Sequence, residues 1–273
     1  PALKTLVNLA IAEDISTGDI TSDAIISNQI NVKAYLIAKA SGVVAGLPLA
    51  DYIFKSIDQN INFKSLVKEG TFVSPKTKIA EISGAYKSLL MAERTVLNFV
   101  QRLSGIATET ALYVAETKGT NTHILDTRKT LPGYRALDKY AVKVGGGTNH
   151  RFGLYDMVML KENHIEVAGG ITKAVLQVRK KVNSDIKIEV ETKNLAEVQE
   201  AINNQVDVIM LDNMALNTMR EAVILINGKA KVEASGNMTL NRIADVAATG
   251  VDFISVGALT HSVSALDISM LIE

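Results

Sequence analysis

The sequence predicts an α/β protein whose C-terminal part is a (β/α) barrel. Two observations carry this. Short apolar runs recur, and each stops abruptly at polar or charged residues. Ile124-Leu125 stops at Asp126-Thr127-Arg128-Lys129-Thr130, and Val158-Met159-Leu160 at Lys161-Glu162-Asn163-His164. Ile186-Lys187-Ile188 leads into Glu189-Val190-Glu191, and Val208-Ile209-Met210-Leu211 into Asp212-Asn213. Lys231-Val232-Glu233-Ala234 precedes Ser235-Gly236-Asn237, and Phe253-Ile254-Ser255-Val256 precedes Gly257. Helix-length segments separate these runs, the rhythm of parallel strands in βα units. Functional groups at the C-terminal ends of successive strands mark the active face of such a barrel. About six strands are visible, which makes the barrel incomplete.

The chain has 273 residues and is 47% hydrophobic, enough for a large core and one or two domains. Lys plus Arg and Asp plus Glu are equal at 29 each, and there is no basic tail or aromatic-interleaved basic patch. That argues against nucleic-acid binding. Cysteine is absent, which excludes disulfides and thiolate metal sites. The four histidines offer no zinc spacing. Glu13 and Asp14 interrupt what a signal peptide would keep apolar, and no run reaches the length of a membrane span. The expectation is a soluble, cytoplasmic protein.

The elements follow in order. Leu3, Leu6, Val7, Ala10 and Ile11 share one face of a helix over 1–12. Residues 13–21 read as an acidic, turn-rich loop. Val32 to Ala38 has a strand pattern, and Leu47 to Ile57 looks helical. Residues 61–82 read as short strands turning at Glu69-Gly70 and Ser74-Pro75. Their phrasing has the look of a lipoyl-type sandwich, but no carrier lysine motif is present, so a structural β layer is the reading. Tyr86 to Leu103 is a long helix with Leu89, Val96, Val100 and Leu103 on one side. Ser104-Gly105 closes the first domain, although helical character continues from Ile106 to Glu116. Arg94 sits at the edge of the apolar surface, where spacing alone favours snorkelling to water over a ligand at a subunit interface. Further helices are expected over Ile171–Val182, after Asn194 with Glu197 in a capping box, and from Leu240 through Ile243, Ala244 and Ala247 to Gly250.

If the strands form one barrel, Arg128, Lys129, Lys161, His150 and Arg151 converge at its mouth with Glu191 and Asp212, and with Glu189 and Glu233 nearby. Gathering like charges is costly unless a polyanion neutralises them, so the ligand is expected to carry several negative charges. Arginine forks favour carboxylates and phosphates. The acids could hold Mg²⁺, bind ribose hydroxyls or stabilise developing positive charge. The loops 235–237 and 255–258 offer small residues and backbone N–H groups, as phosphate sites at late barrel strands do. Any one of these charges alone reads more simply as a solvated strand end, and Gly145-Gly146-Gly147 alone marks only a flexible loop. Glu189 and Glu191 resist that reading, because alternation puts both on one face of their strand.

Together these residues resemble quinolinate phosphoribosyltransferase, the type II phosphoribosyltransferase fold. The resemblance rests on Glu13-Asp14 with Gly18-Asp19-Ile20-Thr21, Glu93-Arg94-Thr95 with Leu97-Asn98, Ser104-Gly105-Ile106-Ala107-Thr108, and Asp126-Thr127-Arg128-Lys129-Thr130. It continues through Gly145-Gly146-Gly147 with Asn149-His150-Arg151, Leu160-Lys161 with Asn163-His164, Glu189-Val190-Glu191 and Leu211-Asp212-Asn213. It ends on Glu233-Ala234-Ser235-Gly236-Asn237 and Ser255-Val256-Gly257-Ala258-Leu259-Thr260-His261, and so spans nearly the whole chain. Glu162 departs from the aspartate of many relatives.

The resemblance implies an N-terminal α/β sandwich over 1–105 and an incomplete α/β barrel over 106–273, with 263–273 packing back on the first domain. It implies decarboxylating phosphoribosyl transfer from phosphoribosyl pyrophosphate to quinolinate with Mg²⁺, in NAD biosynthesis. Arg94, Arg128, His150, Arg151 and Lys161 are then expected to bind the ring carboxylates, with Arg94 supplied by the other subunit of a homodimer. Lys129 is expected at the pyrophosphate, with catalytic roles for Lys129, Glu191 and Asp212. The two acids are also the tentative metal residues. Thr127 and His261 are expected to contact substrate, and Ser235, Gly236, Asn237, Ser255, Val256 and Gly257 to cradle the 5′-phosphate. The alternatives are a molybdenum-associated paralogue acting on another base, a nicotinate phosphoribosyltransferase, and a non-catalytic phosphoribosyl-ligand sensor. The number of cations favours a dicarboxylate.

Overall fold

The structure is a computed structural model that describes residues 2–27 and 29–273. The chain divides into two compact units. One comprises residues 1–111, 130–146 and 259–273, and the other 112–129 and 147–258.

The first unit opens with α1 (Ala2–Ile15) and α2 (Ile20–Ile25). Residue 1 lies outside the described residues. α1 absorbs Glu13 and Asp14, and only Val7 of its expected apolar face is fully buried. The expected loop over 13–21 therefore shrinks to a short turn. The missed α2 is started by Asp19, whose carboxylate accepts from Thr21 N at 3.0 Å and Ser22 N at 3.1 Å. Then come β1 (Asn31–Ala38), β2 (Gly42–Val43), α3 (Leu47–Ile57), β3 (Asn62–Ser65), β4 (Phe72–Val73) and β5 (Lys78–Ala85). The main sheet has the order β12-β1-β5-β3 and is antiparallel, β12 being Ile268–Ile272 at the chain's end. Glu69 does more than turn the chain. It accepts from Gly46 N and Leu47 N, the start of α3, and from Tyr140 Oη at 2.6 Å.

α4 (Tyr86–Ala115) runs unbroken through Ser104-Gly105. Its buried face carries Leu89, Val96, Val100 and Leu103, as the spacing predicts. Arg102 grips the fully buried Asp138 of α5 (Arg135–Val144) through two bonds of 3.1 Å. Burial raises the pKa of Asp138, and the guanidinium opposes that rise.

The second unit holds six parallel strands in the order β6-β11-β10-β9-β8-β7, so the sheet stays open between β6 (His123–Leu125) and β7 (Val158–Leu160). Between them lie β8 (Ile188–Thr192), β9 (Val208–Asp212), β10 (Lys231–Ser235) and β11 (Phe253–Ser255). The intervening helices are α6 (Glu162–Ala168), α7 (Ile171–Arg179), α8 (Leu195–Asn203), α9 (Leu216–Ile226) and α10 (Ile243–Ala247), the last led in by a 3-10 turn over Leu240–Arg242. α11 (Ala258–His261) follows β11. Asn194 caps α8 by accepting from Glu197 N at 2.9 Å, while the Glu197 carboxylate accepts from Lys193 N at 2.7 Å. On α10 Ile243, Val246 and Ala247 are buried, and Ala244 faces out, because the 3-10 turn shifts the helical phase. Among the described residues no helix is long and apolar enough to cross a membrane.

Gly105 yields a test with a definite sign. Alanine in a helix interior normally stabilises over glycine by roughly 0.5–1 kcal/mol. A Cβ on Gly105 would lie 2.2 Å from the carbonyl oxygen of Ser264. Gly105→Ala is expected to destabilise by about 1–3 kcal/mol, as overpacking does, in denaturant titration. A stabilised variant would show that residues 264–265 yield freely.

Candidate active site

The site lies at the C-terminal ends of the parallel strands. Its foundation is buried. Glu189 and Glu191 fall inside β8, not beyond it as the sequence rhythm suggests, because β8 starts two residues later than expected. Glu189 and Glu233, separated by β9, are both almost wholly inaccessible. His150 Nε2 lies 3.2 Å from a carboxylate oxygen of each. Ser255 Oγ donates to the other oxygen of Glu233 at 2.5 Å.

The loop that carries His150 is pinned as well. Its N–H donates to Asp126 at 2.9 Å, and Asn149 Nδ2 donates to the same carboxylate at 2.5 Å. Arg151 N–H donates to His150 Nδ1 at 2.6 Å, which leaves the ring proton on Nε2, the atom beside the two acids. Burial lowers the pKa of His150, yet Glu189 and Glu233 outweigh it and raise it to about 10. A proton on Nδ1 would conflict with the Arg151 N–H. The geometry therefore makes the second proton a property of the trio, held largely by the carboxylates. Burial, then repulsion from Glu233, pushes Glu189 up to about 7, in agreement.

Above this base stand the cations. Arg151 donates to Met157 O at 3.1 Å and contacts Met159 Sδ. Burial and then Arg128 lower its pKa, so the two guanidinium groups repel. Neither forms an ion pair with a carboxylate among the described residues, and Arg128 Nε is buried with no acceptor. Lys129 is exposed, and its N–H donates to Thr127 Oγ1 at 3.1 Å. Lys161, half exposed, lies 3.5 Å from Glu191, and its N–H donates to His164 Nδ1 at 3.0 Å.

Asp212, on the strand next to Glu191, accepts from Asn213 Nδ2 at 2.9 Å. Asn237 Nδ2 in turn donates to Asn213 Oδ1 at 3.1 Å. The Gly236, Asn237 and Met238 N–H groups have no acceptor among the described residues. The same holds for Gly257 and Ala258. Val256 N–H is used by Leu125 O at 2.9 Å, and the Ser255 hydroxyl by Glu233. Arg94 is exposed on α4 and His261 on α11, both in the first unit.

Sequence reading placed Glu189 and Glu233 near the site without a role, and missed Asn213 and Arg242. The one available signal for the trio was Glu189-Val190-Glu191, which requires a buried acid to find a partner. Arg242 lies on a helix start and gave no signal.

As to metals, the densest set of possible ligands is His150, Glu189 and Glu233. Its imidazole Nε2 lies 3.2 Å from both acids and carries a proton, so it has no lone pair to give a metal there. Glu191 and Asp212, partly exposed carboxylates on adjacent strands, offer open oxygens that could hold a divalent cation.

Removing the imidazole tests the buried foundation. His150→Ala leaves two buried carboxylates without their imidazole partner and is expected to cost about 3–5 kcal/mol at neutral pH. Glu189, already raised by burial, then lies further above the unfolded value near ~4.3, so the folded state binds more protons. The deficit is therefore expected to shrink at low pH and grow as pH rises through the raised value. Urea titrations at several pH values read this, and a pH-independent deficit would contradict it.

Comparisons with known proteins identify the family. Residues 19–104 match the family described as quinolinate phosphoribosyl transferase, N-terminal domain, and residues 106–271 its C-terminal domain. The chain is 46% identical to the chloroplastic nicotinate-nucleotide pyrophosphorylase (carboxylating) of Arabidopsis thaliana, over 99% of this chain and 83% of that one. NadC from Streptococcus pyogenes superposes with a TM-score of 0.97 at 40% identity, covering 99% of this chain and 96% of that one. The nicotinate-nucleotide pyrophosphorylase from Francisella tularensis gives 0.96 at 43% identity, covering 100% and 96%. The chain belongs to the quinolinate phosphoribosyl transferase family.

Proposed function

We propose that this protein transfers phosphoribosyl from phosphoribosyl pyrophosphate to quinolinate, giving nicotinate mononucleotide, pyrophosphate and carbon dioxide in NAD biosynthesis. One observation carries the choice of base. Arg128 and Arg151 repel each other, and neither forms an ion pair with a carboxylate among the described residues, although Glu189 and Asp156 attract Arg151 from farther off. A ring with two adjacent carboxylates supplies the missing charge as two forks, each charge-assisted bond contributing about 1.5–3 kcal/mol. The names of the similar enzymes support the same reaction.

Arg128, Arg151 and Lys161 hold the base, with His150 supporting them from beneath. Arg94 completes the set from the neighbouring subunit of a homodimer. Activity recovered on mixing inactive Arg94→Ala and Lys129→Ala subunits would report that sharing, and no recovery after confirmed exchange would oppose it. Lys129 meets the pyrophosphate. The N–H groups of 236–238 and 257–258 receive the 5′-phosphate, with Ser235 alongside. The Ser255 hydroxyl stays with Glu233, so Ser255 and Val256 serve that loop through backbone. Thr127 holds the Lys129 turn, and His261 is assigned to the substrate.

The ring nitrogen attacks the anomeric carbon as its bond to pyrophosphate breaks. Glu191 and Asp212 stabilise the positive charge that develops on the ribose. Mg²⁺ held by these acids and the substrate phosphates would neutralise charge on the leaving pyrophosphate. The ring is then a pyridinium. The bond to the carboxylate beside the nitrogen breaks, carbon dioxide departs, and the electron pair remains on a carbon stabilised by the positive nitrogen. A proton from solvent completes the product. Most of that step belongs to the substrate.

Products are the test. With phosphoribosyl pyrophosphate and Mg²⁺, quinolinate is expected to release carbon dioxide and give nicotinate mononucleotide, and nicotinate offered instead is expected to turn over poorly. Equal turnover of nicotinate would remove the argument from two carboxylates. Glu191→Gln and Asp212→Asn keep shape and remove charge, and each is expected to lower kcat roughly a hundred- to a thousandfold while quinolinate still binds. Near-normal turnover in both would reduce the acids to counter-charges.

A further inference from the structure

Arg242 begins α10 and has no assigned part in the chemistry. Its guanidinium forms no ion pair among the described residues. Instead it donates to three carbonyls, Met214 O at 3.2 Å, Gly236 O at 3.3 Å and Asn237 O at 3.4 Å. These belong to the loops after β9 and β10, which carry Asp212 and the 235–237 turn.

A trans peptide points its C=O and the following N–H in opposite directions, and no described peptide bond is cis. Drawing the Gly236 and Asn237 carbonyls toward Arg242 therefore turns the Asn237 and Met238 N–H groups the other way. Those two groups have no acceptor among the described residues. The turn that displays them is a left-handed one, with φ of 94° at Gly236 and 51° at Asn237. Glycine and asparagine are the residues that adopt this conformation most readily. A Cβ on Gly236 would lie 2.2 Å from Asn213 Oδ1, so Asn213 fills the space beneath the turn. Asn213 itself sits at φ 52°, and its N–H donates to Ser235 O at 2.9 Å.

We infer that Arg242 is a positioning residue, which holds the two loops from behind so that the Asn237 and Met238 N–H groups face the 5′-phosphate of the phosphoribosyl substrate while Asn213 keeps its place beside Asp212. This rests on the phosphoribosyl-transfer reading above. Only a planar fork with several donors can hold three carbonyls at once, and a lysine reaches fewer. The guanidinium also adds positive charge behind the anion without touching it.

The test is steady-state kinetics on Arg242→Ala and Arg242→Lys, together with calorimetric binding of ribose 5-phosphate to each protein. Arg242→Ala is expected to raise KM for phosphoribosyl pyrophosphate about tenfold while KM for quinolinate stays within about twofold. Ribose 5-phosphate is expected to weaken in the same proportion, and Arg242→Lys to fall between. Parallel rises in both KM values would overturn the assignment. So would an Arg242→Lys protein indistinguishable from wild type, and that arm decides if the alanine variant does not fold. A wild-type protein that binds ribose 5-phosphate but transfers nothing would sink the functional reading alone, and the binding ratio would still judge Arg242.

Discussion

Two carboxylates with almost no access to water lie among the strands of the second unit, and one imidazole lies 3.2 Å from both, with the Ser255 hydroxyl on Glu233 besides. Isolated, each would cost several kcal/mol to ionise there. The remedy fixes far more than a charge. Holding His150 between Glu189 and Glu233 fixes the loop before β7, which Asp126 also ties to the end of β6. Arg151 follows His150 directly, and Arg128 follows Asp126 by two residues. The buried acids thus set where the cations above them stand.

The mouth of the sheet then divides by charge. Arginines without carboxylate partners gather over the β6 and β7 ends, Lys161 and Glu191 form a loose pair, and Asp212 is steered by amides. Beyond β10 the unpartnered donors are backbone N–H groups, displayed by a left-handed turn. A base with two carboxylates, a ribose and a phosphate would meet these surfaces in sequence. The active-site order follows from strand order, because each strand delivers one kind of group at its end.

Much of this was legible in the residues. The six parallel strands and their polar ends came from runs of apolar residues at βα spacing, and the α8 cap from Asn194 with Glu197. α2 was not legible, since Asp19 sits in a stretch that reads as turn-rich until its side chain is seen to close on Thr21 and Ser22. The length of α4 was half legible: helical character from Ile106 to Glu116 was visible, but Ser104-Gly105 looks like a stop, whereas Gly105 admits the Ser264 carbonyl within one continuous helix. The site's cations were visible as types, but their arrangement depends on long-range contacts. The inward turn of His150 and the grip of Arg242 on carbonyls leave no trace in spacing, since a backbone acceptor has no sequence signature.

We propose that Arg128 and Arg151, standing over the buried acid pair, hold two adjacent carboxylates. Calorimetry with quinolinate and nicotinate, without the phosphoribosyl donor, tests it most directly. Quinolinate is expected to bind roughly ten- to a hundredfold tighter, the value of one extra charge-assisted contact, and Arg151→Gln to erase most of that difference. Equal affinities in the wild-type protein would contradict the account.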